Sequence, residues 1–195
     1  MFNYRITLSN EMVSKINGFT VTIRECASRS CEVTTEKKRL EAIRDNTDNT
    51  KEVQDEAIKN LEKLEEEWKK ERKDYDLKLY GGKDKNGKKV GGYCDNISKD
   101  FYKAYVAYIT ECDNKAMYNA VADFLVANCK KGDVRDRAIQ EFTTEILIIL
   151  GGKFNSNSKL AKGEAFITTL NKRTFKKVLF GAIIDIIAKT TIKVG

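Results

Sequence analysis

Apolar residues recur along most of this chain at spacings of three and four, the mark of helices that bury one face. Between residues 31 and 80 the stripe is sparse. Val33, Leu40 and Ile43 mark one helix, and Val53, Ala57, Leu61, Leu64, Trp68 and Tyr75 mark a second. The run Asp45-Asn46-Thr47-Asp48-Asn49-Thr50 between them holds caps and turn formers but no apolar residue, which predicts the tip of an antiparallel helical hairpin. At about 1.5 Å per residue the second helix would extend roughly 40 Å, longer than a globule of this size needs. Residues 31–80 are therefore expected to form a projecting, coiled-coil-like arm.

Ahead of the arm, residues 1–30 are ambiguous. Tyr4, Ile6 and Leu8 alternate with polar residues, as do Phe19, Val21 and Ile23 after Asn17-Gly18. Two short strands flanking a helical turn at Ser9–Ile16 are expected, with a segment helical throughout as the alternative. Behind the arm, residues 81–96 carry a lysine-rich stretch bounded by Gly81-Gly82 and Gly91-Gly92. Asn86-Gly87 has the composition of a type I′ turn, with Leu77, Leu79, Val90 and Tyr93 able to flank it, so a small β-hairpin or hinge is expected. A basic tip that contacts phosphate is a lesser alternative. Gly82-x4-Gly87-Lys88 matches most of a P-loop but fails where the chemistry is strictest. Lys89 stands where Ser or Thr must hold Mg²⁺, and glycines follow where a helix should present its N-terminus.

Residues 97–195 read as a helical bundle domain. Ser98 can cap a helix, with Ile97 and Tyr102 placed as a hydrophobic staple, and Phe101, Tyr105, Tyr108 and Cys112 continue its apolar face. Asp113-Asn114 breaks the pattern before Met117, Val121, Phe124 and Leu125. Gly132-Asp133 is expected to stop that helix and cap the next. The face Ile139, Phe142, Ile146, Ile149 and Leu150 should then run until Gly151-Gly152 ends it, before a loop at 153–157. Ser158 is expected to cap a short helix to Leu170, and Asn171 the last one, running to about Thr191. In that last helix Val178–Ala188 is apolar apart from Gly181 and Asp185. It is too short to cross a bilayer, which takes about 20 residues. It is expected at the centre of the bundle, with an oligomer or partner interface as the alternative. The fold class is mainly α: a C-terminal helical bundle, a projecting antiparallel helical hairpin and a small β-hairpin.

Composition narrows the functional classes. The 195 residues include no proline, which permits long helices, and no histidine. Without histidine, Ser-His-Asp and Cys-His catalysis and every His-bearing zinc site are excluded. The five cysteines are irregularly spaced. Cys26 and Cys31 form C-x4-C, and Cys94, Cys112 or Cys129 could join a Cys-only site, but the paired short spacings of zinc ribbons are absent. Bystander thiols and no bound metal are expected. Met1–Ser9 has no apolar signal region, so a reducing, cytosolic setting is expected, host cytoplasm or virion if the protein is viral.

The net charge of +7 is uneven, because residues 151–195 hold nine basic and two acidic side chains while the first 150 balance at 27 of each. Within the basic segment, Lys172, Arg173, Lys176 and Lys177 fall in the first turns of a helix, where the macrodipole disfavours cations by about 0.3–1 kcal/mol each. An anionic partner, nucleic acid or acidic protein, would offset that cost, with Lys159 and Lys162 as further contacts. The plainer reading is a solvated positive surface. On the arm, charge is mixed and placed for pairing four residues apart, as at Glu65–Lys69, Glu66–Lys70 and Asp74–Lys78. Leu61, Leu64, Trp68 and Tyr75 form its stripe and are the candidate protein-partner residues, hairpin packing being the plainer role.

Tyr102, Tyr105, Tyr108 and Tyr118 could stack on bases, but no RNP-like strand surrounds them and helical spacing favours core packing. Glu111, Asp113, Asp133 and Asp136 offer carboxylates without a paired motif, the last two as first-turn helix acids. No catalytic constellation, cofactor site or small-molecule substrate is expected, and no membrane span. The leading expectation is a non-enzymatic structural or assembly protein, such as a component of a viral particle, that meets protein partners or copies of itself through its helices. The alternative is a small binding or inhibitor module that contacts nucleic acid or a nucleoprotein through the basic C-terminal helix.

Overall fold

A computed structural model of the chain describes residues 6–155 and 172–190. The fold is mainly α, with a helical hairpin, a two-stranded β-hairpin and a helical bundle. Two compact units divide it: Gly18–Gly92, and Met1–Asn17 together with Tyr93–Gly195. The expected helix at Ser158–Leu170 and its cap, the Asn171 cap, and the basic residues Lys159 and Lys162 lie outside the described residues.

Helix α1 (Asn10–Asp45) is 36 residues long and begins in one unit and continues in the other. It replaces the strand expected at Phe19–Ile23. Phe19 and Thr22 are buried one helical turn apart while Val21 is 52% exposed, a pattern that period two cannot produce. Helix α2 (Lys51–Tyr80) follows a tip that is built as the run of turn formers requires. Thr50 caps it by accepting from the Val53 N–H at 3.3 Å, Asn46 accepts from the Asp48 N–H at 3.0 Å, and the Asn49 and Gln54 side chains donate to the Ile43 and Asn46 carbonyls, each at 2.9 Å. These contacts occupy end groups that a helix leaves unpaired.

Past α2, β1 (Gly82–Lys83) pairs antiparallel with β2 (Lys89–Val90). The turn is not type I′, because among its residues only Gly87 has positive φ, at 77°. Asp84 is the reason. Its Oδ1 accepts from the N–H groups of Asn86 and Lys88, each at 2.9 Å, and its carbonyl accepts from Gly87 at 3.0 Å. That is a three-residue loop with glycine at the left-handed position. At the base of this ribbon Gly81 and Gly92 touch backbone to backbone: a β-carbon on Gly92 would lie 2.3 Å from the Gly81 nitrogen. No helix begins after Lys88, where a P-loop would require one.

In the other unit, α3 (Lys99–Glu111), α4 (Asn114–Asn128), α5 (Asp136–Asn155) and α6 (Lys172–Thr190) each pack on their neighbour in sequence, and α6 closes on α3. Ser98 caps α3 as its position predicts, and Asp113, expected only to break the pattern, caps α4. Phe101, Phe124, Phe142, Phe175 and Phe180 fill the centre, with Phe124 6.1 Å from Phe101 and 6.5 Å from Phe142 by ring centroid. Phe175 brings α6 against α3, 5.2 Å from Tyr102 and 5.3 Å from Tyr105. Leu179, Ala182, Ile183 and Ile186 are buried beside it, so the apolar stretch of α6 does belong to the core.

Two expected boundaries move. Gly151 and Gly152 lie inside α5, since a glycine costs a helix only about 1 kcal/mol. Asp133 does not cap α5. It ends the 3-10 turn Lys131–Asp133, and its Oδ2 accepts from the Thr7 N–H at 3.0 Å. The N-terminal segment is held there: Ser9 donates to the Asn128 carbonyl at 2.9 Å, Lys130 donates to the Thr7 carbonyl at 2.7 Å, and Ile6 is buried.

Phe124→Ala should lower stability by about 3–5 kcal/mol, read by urea unfolding, since it empties the point where three helices meet. Gly92→Ala should shift the unfolding midpoint further than Gly87→Ala. The second meets open space and pays only the left-handed strain of about 1–2 kcal/mol.

Candidate functional site

The hairpin is a two-stranded antiparallel coiled coil with one seam. On α1 the seam residues are Phe19, Thr22, Cys26, Arg29, Val33, Glu36, Leu40 and Ile43; on α2 they are Gln54, Ala57, Leu61, Leu64, Trp68, Glu71 and Tyr75. Every one is buried or half-buried, and from Phe19 to Ile43 and from Gln54 to Tyr75 the spacing alternates three and four, the heptad rule that keeps a stripe facing its partner; Leu79, buried four residues past Tyr75, departs from it. The four candidate partner residues Leu61, Leu64, Trp68 and Tyr75 therefore lie on the face of α2 that meets α1. Leu61 is buried, and the other three keep part of their surface in solvent. Trp68 and Tyr75 sit 6.5 Å apart by ring centroid, two turns apart on that face. Burial pushes the Tyr75 phenol above its ordinary range, with Glu25, Cys26 and Glu71 adding to the rise.

Midway along the seam Arg29 forks onto Glu71, Nε to Oε2 at 2.7 Å and Nη2 to Oε1 at 3.1 Å, and turns Nη1 to Glu32 at 3.1 Å. The two side chains are 33% and 37% exposed, so solvent screens the pair and its bidentate geometry matters more than its strength. It fixes register, since Arg29 finds Glu71 at one alignment only. Lys37 crosses to Glu65 at 3.4 Å, in place of the expected Glu65–Lys69 pair, while Glu66–Lys70 stands at 3.9 Å. Sequence reading missed Thr22, Cys26, Arg29, Glu36, Gln54 and Glu71 as seam positions because polar residues and a thiol do not mark an apolar stripe. The unbroken three-and-four spacing was the signal that could have found them.

Near the tip the seam loosens. A groove of about 310 Å³ opens there, lined by the apolar Leu40, Ile43, Val53 and Ala57 and by the polar Arg39, Glu52, Glu56 and Asn60. Val53 is 45% exposed there.

Of the expected anion-contact residues, Lys172 and Arg173 open α6, Lys176 is half-buried and Lys177 is exposed. Lys176 lies close enough to Cys94 to favour its thiolate, but burial dominates and pushes that thiol up to about 12. Cys129 is likewise pushed up to about 12 by burial. Tyr105 is core, and the Tyr118 hydroxyl donates to Asp136 at 3.2 Å. No group of His, Cys, Asp or Glu among the described residues could hold a metal ion, and no helix among them is long and apolar enough to cross a membrane.

Hydrogen bonds from arginine hold the Glu71 and Glu36 carboxyls below their ordinary range. A depressed carboxylate contributes stability that is complete above its ordinary pKa and lost as pH falls through the lowered value. The hairpin should therefore melt at a lower temperature at pH 3 than at pH 7 by circular dichroism, and Glu71→Gln should flatten that dependence. Arg29→Leu with Glu71→Leu should melt at or above the wild-type temperature, since apolar layers replace ion pairs without loss. In a thiol titration at pH 8 the exposed Cys31 and Cys112 should react first, and Cys94 and Cys129 only on unfolding.

No protein-family model, no curated protein and no solved structure matches the chain.

Proposed function

We propose that the protein is a non-enzymatic structural or assembly protein that works through helix-mediated contacts of its hairpin, with copies of itself or with other subunits of an assembly such as a viral particle. The observation that carries this reading is the hairpin itself. Helices of 36 and 30 residues hold each other through one internal seam, and near the tip they leave an apolar groove unfilled. A seam satisfied from within frees the outer faces, and a groove lined in part by Leu40, Ile43, Val53 and Ala57 has the size and chemistry to take an apolar side chain of a partner. Mixed charge in its lining, Arg39 and Glu56, suits recognition of a polar frame around such an anchor.

A second reading, contact of the basic α6 start with nucleic acid or nucleoprotein, is supported by Lys177, which is exposed in the first turns of a helix that carries no acid in its first turn.

Light scattering coupled to size exclusion should report a mass above the monomer that grows with concentration, and Ala57→Leu with Val53→Asp should weaken that association at least about ten-fold, about 1.4 kcal/mol. A strict monomer over a wide concentration range would overturn self-assembly.

A further inference from the structure

We propose that the β1–β2 ribbon is a contact for the phosphate backbone of duplex DNA, made without regard to base sequence. Residues 83–89 read Lys83, Asp84, Lys85, Asn86, Gly87, Lys88, Lys89, four cations and one anion, and all four lysines are exposed. The single carboxylate is already engaged, because Asp84 Oδ1 accepts two backbone N–H groups of its own turn. None of the four lysines has an ion-pair partner among the described residues.

The register sharpens the point. Lys83 and Lys89 are direct partners across the two strands. Residues so paired share one face with β-carbons about 5 Å apart, and like charges there destabilise the pair. A ribbon shaped for stability alone would put opposite charges or two β-branched side chains at that position. This one has no apolar side chain from Lys83 to Lys89, and its form is held by backbone devices: the Asp84 turn, the positive φ of Gly87 and the close Gly81–Gly92 approach. Charge that costs the fold energy, held on a defined turn, is what an anionic partner would offset.

The chemistry of the ribbon selects among anions. Duplex DNA carries one negative charge per about 1.7 Å of axis, a density that can meet four lysines within seven residues. With no aromatic side chain from Gly82 to Val90 the ribbon cannot stack unpaired bases, which disfavours single strands, and its one apolar side chain, the half-buried Val90, is too little to enter a bilayer. Lysines on phosphates position a protein and carry no sequence information. A two-stranded ribbon also fits a major groove about 12 Å wide. The four lysines share no residue with the hairpin groove or with the basic start of α6, and the proposal rests on neither reading of them.

The test is fluorescence anisotropy with the full chain and two duplexes of unrelated sequence, titrated with salt. Both should bind alike. Replacing Lys83, Lys85, Lys88 and Lys89 together with Gln should weaken binding at least ten-fold at low salt. The same change should reduce the slope of log Kobs against log salt by about 3–4, at about 0.9 per phosphate released. Replacing the same four with Arg should restore both, and this variant keeps the test valid if the Gln variant melts early by circular dichroism. The proposal fails if duplex DNA does not bind at low salt, or if the Gln variant binds like wild type. It fails equally if the loss follows Lys172, Arg173, Lys176 and Lys177 instead. Equal dependence on the four lysines for single-stranded DNA or for phosphatidylserine vesicles would also overturn it.

Discussion

A hairpin of two helices has one seam in which to bury everything it owns, and that constraint governs more than a third of this chain. One seam shields its positions unevenly: Leu40 and Leu61 are buried while Arg29 and Glu71 stay about a third exposed, so polar residues are tolerated at some layers. Arg29 and Glu71 exploit this: water at the edge lowers their desolvation cost, while the fork geometry admits one alignment of α1 on α2. Register set there carries to the tip, where Asn46, Asn49, Thr50 and Gln54 close the turn only if both helices end in phase. It also brings Ala57 together with Leu40 and Ile43 in the lining of the groove near the tip.

The bundle obeys a different rule. Its helices have partners on two sides, so their apolar faces are wide and aromatic, and closure depends on α6 presenting Phe175 to α3 while its other buried residues meet α5. The N-terminal segment is tied to the same core by backbone pairs at the end of α4 and by Asp133, which makes the first few described residues part of a unit whose remainder begins at Tyr93. Between these two solutions stands the ribbon, too short to bury anything, which depends on glycine contacts and one aspartate. The three elements therefore show three ways to hold a chain: a seam, a core and a turn.

Much of this was legible before any coordinates. The tip at 45–50, the Ser98 cap, the break between α3 and α4 at Asp113-Asn114 and the central place of the α6 stretch follow from local chemistry, because caps and turns are decided within a few residues. Where reading failed, the deciding neighbour was distant. The alternation at Phe19, Val21 and Ile23 looked like a strand, yet the structure buries Phe19 and Thr22 and exposes Val21, as a helix does. Gly151-Gly152 looked like a stop, yet flanking helical residues carried α5 through it. Asp133 looked like a cap until Thr7 claimed its carboxylate.

By itself, the amino-acid order determined that the protein is mainly α, that two long helices must fold back at one polar run, that histidine chemistry is absent, and that lysines gather at 83–89 and again from Lys172. The tertiary structure alone decided which side chains share the seam, that the stripe Leu61, Leu64, Trp68 and Tyr75 faces α1, and that Lys83 stands directly across from Lys89. The division has a physical cause. Periodicity and caps act over one or two turns and are written in neighbouring residues, whereas ion-pair register, grooves and cross-strand pairing depend on residues brought together from far along the chain.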